Sequence, residues 1–287
     1  MDFARMSTRD RLAGARSKLM FGVCIAFALC IVALLFLVIG YLLSIGLSSL
    51  SWSFFTKDPI PQGMSGYPGG MRQALVGTVI LVTLASVVGL PVGMLTGIYL
   101  AEYEVASWLA TPVRFICDVL AGVPSIVVGI LGYELVVVPL GHNSGWAGAA
   151  ALGFIMVPIV ARTTEEMLRL VPNSYREAAV ALGATKSSMI LGVVMPSATG
   201  ALVTGVMLAI ARVAGETAPL IFTALGSRSL TWNPNEPFPS LTKQIFDYAE
   251  GPERAQQHLA WAGILVLILL IFIVNLSVRY FISRPRR

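Results

Sequence analysis

Apolar positions in this chain fall in long unbroken runs, not at the one-face spacing of a soluble helix or the alternation of a half-buried strand. The runs lie at 19–47, 74–101, 115–139, 145–161, 190–225 and 259–279. About 20 consecutive apolar residues carry a helix across a hydrocarbon layer roughly 30 Å thick. Lipid offers no water to backbone N–H and C=O groups, so such segments must bond internally as helices. The pattern predicts an all-α, polytopic integral membrane protein with six transmembrane helices. Two runs depart from a simple rod. The fourth is short and contains Pro158; the fifth is long and contains Pro196 and Pro219. Proline removes a backbone donor and crowds the preceding turn, so neither span is expected to be straight. In the third run "GVPS", 122–125, interrupts the helix at a depth where irregular backbone survives only when buried or lining a cavity, which makes Ser125 a candidate pathway residue.

Composition agrees with the pattern. Only 12% of residues are charged and 56% are hydrophobic, where a soluble domain carries about 25% charged residues. The net charge of +5 reflects topology. With six spans both ends lie on one side, and that side takes most of the basic residues, among them Arg5, Arg16, Arg114, Arg162, Arg169, Arg176 and Arg284. The other side receives Lys57, Arg72, Arg228, Lys243 and Arg254. This bias places both termini in the cytoplasm. It also argues against a nucleic-acid role, because the basic residues line a membrane face and form no groove-reading motif. Cys24, Cys30 and Cys117 fall within spans and read as apolar packing residues. His142 and His258 stand alone, so no metal site is expected. No His or Cys cluster supplies an enzyme's nucleophile or metal centre.

The chain divides into a cytoplasmic N-terminal segment 1–18, a first helix 19–47, an external loop 48–73 and a five-helix block 74–282. The first span begins like a signal peptide, but its apolar run far exceeds the ~7–15 residues of such a region and no small-x-small cleavage site follows, so it is expected to remain. The loop is rich in Ser, Pro and Gly, and Trp52, Phe54 and Phe55 suit the membrane interface. In the second external segment, 226–258, prolines oppose regular structure at first. Ser240 then stands as a cap before one or two short amphipathic helices with Leu241, Ile245 and Tyr248 on one side. Both a docking surface for a soluble partner and a plain interfacial helix fit that pattern.

The connection between spans four and five predicts a helix at about 174–183. Pro172 ends the preceding pattern, Ser174 and Glu177 have the spacing of a capping box, and Gly183 suits a left-handed helix end. About eight residues span only some 12 Å, too short to persist alone. Ala178, Ala179, Ala181 and Leu182 offer small apolar faces, to enter a groove on another protein or to pack back on the chain's own spans.

Charges inside apolar runs mark candidate chemistry. "AIARVAGETAPLIFTA", 209–224, holds Arg212 and Glu216 four residues apart, hence on one helix face and able to bond each other. Each costs at least ~2.5 kcal/mol near a bilayer centre, so both must face the bundle interior or a watery cavity. A structural ion pair is one reading and a substrate site the other. Gly215 allows close approach, and Pro219 frees a carbonyl, as in broken transporter helices. Arg162 either guides an anion or anchors its helix. Arg114, one turn before Asp118, is the expected partner of that carboxylate, and Glu134 has no assigned role.

"EAAVALG", 177–183, followed by Val193, Met195 and Pro196, resembles the cytoplasmic signature of ABC importer permeases: Glu-Ala-Ala, three residues, Gly, nine residues, an aliphatic, one residue, Leu, Pro. Val193 stands where isoleucine is usual and Met195 where leucine is usual. "LAGVPSIVVGILGY" (120–133), "PIVARTTEEMLRLVP" (158–172) and "ARVAGETAPLIFTALG" (211–226) are similar to the phosphate importer permeases, over roughly residues 70–282. The resemblance implies the type I importer permease fold and half of a translocation pathway for inorganic phosphate in the bacterial plasma membrane. It makes Glu177, Ala178, Ala179 and Gly183 the coupling residues, docked on an ATP-hydrolysing subunit. Implied partners are a homologous permease, two ATP-binding subunits and an external phosphate-binding protein. ATP and magnesium would be bound by the ATPase partner, with no cofactor here; in "GATKSS" Lys186 lacks the Gly-x-x-x-x-Gly-Lys-Ser/Thr frame.

The expected pathway residues are Arg212, Gly215, Glu216, Thr217, Ser125 and Arg162. Arginine presents a planar fork to phosphoryl oxygens. A carboxylate beside it accepts the proton that hydrogen phosphate retains and repels bare sulfate. Rival readings are an importer for another oxyanion and a self-contained secondary transporter or channel, which would have no use for the short docking helix.

Overall fold

The computed structural model describes residues 8–59, 69–103 and 108–283; the loop stretch 60–68, Arg5 and the C-terminal arginines of 284–287 lie outside them. The elements are α1 Thr8–Ser49, α2 Trp52–Thr56, α3 Arg72–Glu102, α4 Ala110–Gly122, α5 Ser125–Leu140, α6 Gly145–Arg169, α7 Asn173–Ala181, α8 Lys186–Ala214, α9 Ala218–Thr223, α10 Leu241–Glu250 and α11 Arg254–Ser283. Five helices are long and apolar enough to cross a membrane, and the bent pair α4–α5 makes a sixth crossing if it is one broken span. The chain is an all-helical multi-pass membrane protein.

The core is the parallel pair α3 and α6, the most extensive contact in the bundle. Close approach requires glycine here: a Cβ on Gly97 would stand 2.5 Å from the Ala161 carbonyl oxygen and from Thr164 Cβ. Small residues replace the hydrophobic drive that lipid cannot supply between helices. Leu81 and Ala85 of α3 meet Leu152, Met156 and Val160 of α6, Ala209 and Val213 of α8, and Leu220 of α9. A second cluster closes the α10 end of the bundle, where Leu241 and Tyr248 pack on Phe54, Met71 and Ala260. A third closes the α7 end, around Leu168, Ala179, Met189 and Val194.

Several elements differ from the sequence expectation. Helix α1 starts at Thr8, inside the segment expected to precede it, and α6 runs to Arg169, two turns past the expected limit at 161. Charges at its end pair along one face, which keeps the helix going outside the apolar run. The fifth crossing ends at Ala214 instead of reaching 225, and α9 is a separate helix after the break at Gly215–Thr217. The last crossing begins at Arg254, so only one amphipathic helix, α10, forms in the segment before it. α10 starts after Ser240 as expected, yet the Ser240 hydroxyl makes no cap bond and is buried without a partner among the described residues. Its apolar side is consumed by packing on α3 and α11, and burial pushes the Tyr248 hydroxyl above its ordinary pKa, with Arg228 opposing. Phe54 is fully buried, while Trp52 stays exposed.

Proline explains two further irregularities. Wide π-helical turns occupy Tyr133–Val137 and Ile190–Val194, each ending two residues before a proline, Pro139 and Pro196. A proline ring cannot accept the carbonyl four residues earlier, and widening the preceding turn relieves that clash. By contrast, α6 is continuous through Pro158 and α3 through Pro91.

Candidate functional site

Both broken crossings open onto one cleft. The chain bends by 105° between α4 and α5 at Val123–Pro124, and α8 stops at Ala214. Leu120, Val123 and Ser125 from the first break, Arg212 and Glu216 from the second, and Ile155 and Ile159 from α6 line a cleft of about 20 Å³. That is room for about one water. The break after α8 is held open by specific bonds: the amides of Gly215 and Glu216 donate to Arg212 O and Val213 O, both at 3.1 Å, and Thr242 Oγ1 of α10 donates to Glu216 O at 2.9 Å. Pro219, without an amide hydrogen, stands in the first turn of α9 beyond the gap. Its Cα approaches α5 so closely that a Cβ on Gly129 would stand 2.8 Å away.

The structure brings Arg212, Glu216 and Ser125 together, and of the two readings of the charges the structural ion pair between Arg212 and Glu216 does not form among the described residues, because the helix that would have stacked them ends between them. Arg212 is exposed and Glu216 half-buried. An arginine at this level, midway along α6, faces either lipid at a cost of at least ~2.5 kcal/mol or a polar partner. The first turn of α5, at Ser125, adds the partial positive charge of a helix start at the cleft edge. Thr217 begins the turn of α9, its carbonyl accepting from Leu220 N at 3.1 Å. Gly215 is not demanded by close approach: a Cβ there would meet nothing nearer than 3.5 Å, and its φ is −90°.

Arg162 does not line this cleft. It follows Ile159 by roughly one turn, towards the α7 end, in a charge cluster that sequence reading did not assemble. Glu165, its side chain 3% exposed, accepts from Arg114 Nη2 at 2.7 Å, Arg169 Nη2 at 3.0 Å and Arg162 Nη1 at 3.2 Å. Asp118 pairs with Arg162 Nε at 2.8 Å, not with the expected Arg114. The spacing Arg162, Glu165, Arg169 was the available signal, since residues three and four apart share a helix face. The cluster ties α4 to α6. Glu134 is exposed, without a polar partner among the described residues.

At the α7 end, Ala179 turns inward while Glu177 and Ala178 are exposed. Leu182 is 89% exposed. Gly183 adopts φ +81°, and Gly183 N to Val180 O with Ala184 N to Ala179 O completes a Schellman end. The predicted capping box does not form. α7 starts at Asn173 behind Pro172, whose φ of −58° sets the entry, with no side-chain cap. His142 hydrogen-bonds its neighbour's carbonyl and His258 the Ser49 hydroxyl, and no group of metal ligands occurs among the described residues. Cys24 and Cys30 are exposed on α1 instead of packed within the chain; Cys117 is buried.

Residues 89–287 match the family described as binding-protein-dependent transport system inner membrane component. The phosphate transport system permease protein PstA of Yersinia pestis is 44% identical over 241 residues, 84% of this chain and 81% of that protein. PstA of Haemophilus influenzae is 41% identical over 273 residues, 94% and 95% of the two chains. A probable phosphate transport system permease protein PstA of Methanocaldococcus jannaschii is 36% identical over 74% of this chain and 75% of its own. Among solved structures, the MetNI methionine ABC transporter in an inward-facing conformation superposes with a TM-score of 0.60 at 21% identity, over 74% of this chain and 94% of that one, a likeness of fold.

Proposed function

Since this chain belongs to the family of binding-protein-dependent transport system inner membrane components, we propose that it is the permease subunit of an ATP-driven phosphate importer. It forms half of the pathway and is a transport subunit, not an enzyme. The companion half is a homologous permease of the PstC type. Two ATP-binding subunits of the PstB type, holding ATP and magnesium, dock at α7, and a phosphate-binding protein of the PstS type delivers the ion at the α10 end. The α7 end is then cytoplasmic, with both termini, and the membrane is the bacterial plasma membrane.

The observation that carries this reading is the cleft where two interrupted crossings meet at Arg212, Glu216 and Ser125. Discontinuous helices build transporter sites because their ends supply unpaired backbone groups at membrane depth. Arg212, unpaired by Glu216, keeps its fork of donors for phosphoryl oxygens. Glu216 accepts a hydrogen bond from the hydroxyl that hydrogen phosphate carries and repels sulfate, which has none. The first turn of α5 at Ser125 adds favourable charge, and Thr217 with Gly215 shapes the break. Arg162, one turn further in, is the next cation on the way to the cytoplasm, held meanwhile by Asp118 and Glu165. A cleft with room for one water must widen to pass phosphate, as alternating access requires. The exposure of Arg212 calls for a second protein across from it. At the other end, Leu182, Val180 and Tyr175 crown α7 with exposed apolar surface suited to a groove on the ATP-binding subunit.

Radiolabelled phosphate uptake into vesicles holding the full complex tests the reading. Arg212→Gln and Glu216→Gln are expected to assemble at native levels and lose uptake by about 100-fold or more, the scale on which a charge-assisted contact worth about 3 kcal/mol acts. Excess sulfate should not compete with the native complex. Native uptake in both variants, or sulfate transported as well as phosphate by the native complex, overturns the assignment.

A further inference from the structure

The helix proposed to meet the ATP-binding subunit is gripped weakly by apolar contacts. Of the nine residues of α7 only Ala179 is buried, and one methyl group cannot transmit a displacement. Its covalent links lead to α6 and α8, and none leads to α3. A charge pair supplies that connection. Glu102, in the last position of α3, has a side chain 4% exposed, and Arg176 of α7 one 18% exposed. Arg176 Nη2 donates to Glu102 Oε1 at 2.6 Å, and Nε lies 3.2 Å from both carboxylate oxygens. The same guanidinium donates to Leu168 O in the last turn of α6 at 2.8 Å, to Val171 O just beyond that helix at 2.6 Å, and to Asn173 Oδ1 at 3.3 Å. One planar group thus joins α7 to the ends of both helices of the core pair. Beside it the Lys186 ammonium sits 4.1 Å from the centroid of the Tyr103 ring, which brings the start of α8 to the same corner.

We propose that the Glu102–Arg176 pair is the rigid link that carries movement of α7 into the α3–α6 pair and so to the cleft at Arg212 and Glu216. Arg176 and Glu102 are positioning residues: they touch neither nucleotide nor phosphate. This rests on α7 being the docking element for the ATP-binding subunit. A buried ion pair is a poor source of net stability, but it fixes direction, because the arginine fork must satisfy a carboxylate and two carbonyls at once. Lysine, a point charge on a flexible stem, cannot. Through the Leu168 carbonyl the fork also reaches α6, the helix that lines the cleft with Ile155 and Ile159.

The test uses the complete complex in liposomes, comparing native protein with Arg176→Lys and Glu102→Gln. ATP hydrolysis, phosphate uptake and cross-linking from Leu182→Cys, at the end of α7, to the ATP-binding subunit are read together. In the native complex the cross-link should form and uptake should follow hydrolysis. In both variants the cross-link and hydrolysis are expected to persist, while phosphate taken up per ATP falls about tenfold, the size of a typical coupling between distant sites. Unchanged uptake per ATP in the variants overturns the link. So does a parallel loss of cross-link, hydrolysis and uptake, which would make the pair a docking prop. If Arg176→Lys does not assemble, Glu102→Gln decides; failure of both to assemble marks the pair as a folding element and rejects the proposal. A native complex that takes up phosphate without any cross-link from α7 would instead reject the docking assignment beneath it.

Discussion

Glu165 is the most completely enclosed carboxylate of the charge cluster, and three arginines converge on it from α4 and α6. A buried acceptor with several charged donors is costly to remove, since the donors keep their desolvation and lose their partner. Those arginines are 24–47% exposed, so water recovers part of the loss. Glu165→Ala is therefore expected to lower stability by about 1–3 kcal/mol, read as thermal unfolding of the detergent-solubilised protein. Asp118→Ala, at a carboxylate 48% exposed, should cost less than about 1 kcal/mol. Equal losses would show that burial does not govern this cluster. Arg212 presents the opposite case: it is exposed, no carboxylate pairs with it among the described residues, and its neighbour Glu216 sits across a helix break. One arginine set holds the fold together, and the other remains available for an anion.

Among the elements, α3 and α6 decide the architecture, and their contact depends on side chains that are absent. At Gly97 a single added methyl would meet the Ala161 carbonyl at 2.5 Å, and a backbone atom cannot yield without separating the helices. Gly97→Ala should destabilise by about 1–3 kcal/mol, the cost of overpacking a close contact. Gly200→Ala on α8, where nothing lies within 4 Å, should leave stability unchanged or raise it by up to about 1 kcal/mol through helix propensity. Thermal midpoints of the two variants, measured side by side, check the contrast; a tolerated Gly97→Ala would mean that the pair packs more loosely than its geometry requires. The two π-turns belong to the same scale. Each is a local response to a proline two residues on, and neither disturbs the core contact.

For the molecule as a whole, α1 stands apart. The most apolar window of its spanning portion, Arg16–Ser49, is 0% buried, and the helix touches the rest of the chain near its end. There Tyr41 meets Trp261 edge-on at 5.4 Å, and Gly46 lets α1 approach Leu265. None of the three core clusters includes a buried residue from α1. Deleting residues 8–40 is therefore expected to leave the thermal midpoint of the remaining block unchanged in detergent, while reducing the yield of assembled complex when the partner subunits are co-expressed. A collapse of the block on deletion would show that α1 contributes to the core after all.

Long apolar runs by themselves determined the fold class, because lipid gives a chain few alternatives, and Pro172 with Gly183 marked a short helix between them, because proline stops one helix and a left-handed turn selects glycine at the end of the next. The same runs singled out Arg212, Glu216 and Ser125, since a charge or a Pro-Ser turn in grease is conspicuous wherever it points. What sequence could not supply was partnership. Arg114 and Asp118 are one turn apart and still bond across to α6; Ser174 and Glu177 have the spacing of a cap but Pro172 already sets the helix entry; Ser240 precedes α10 with its hydroxyl facing inward. Each local pairing was feasible, and each lost to a contact made by another segment. Tertiary structure alone brought the two helix breaks to one cleft and set Glu102 against Arg176, because distances between crossings depend on how closely glycine-lined helices pack, and no periodicity along a single chain encodes that.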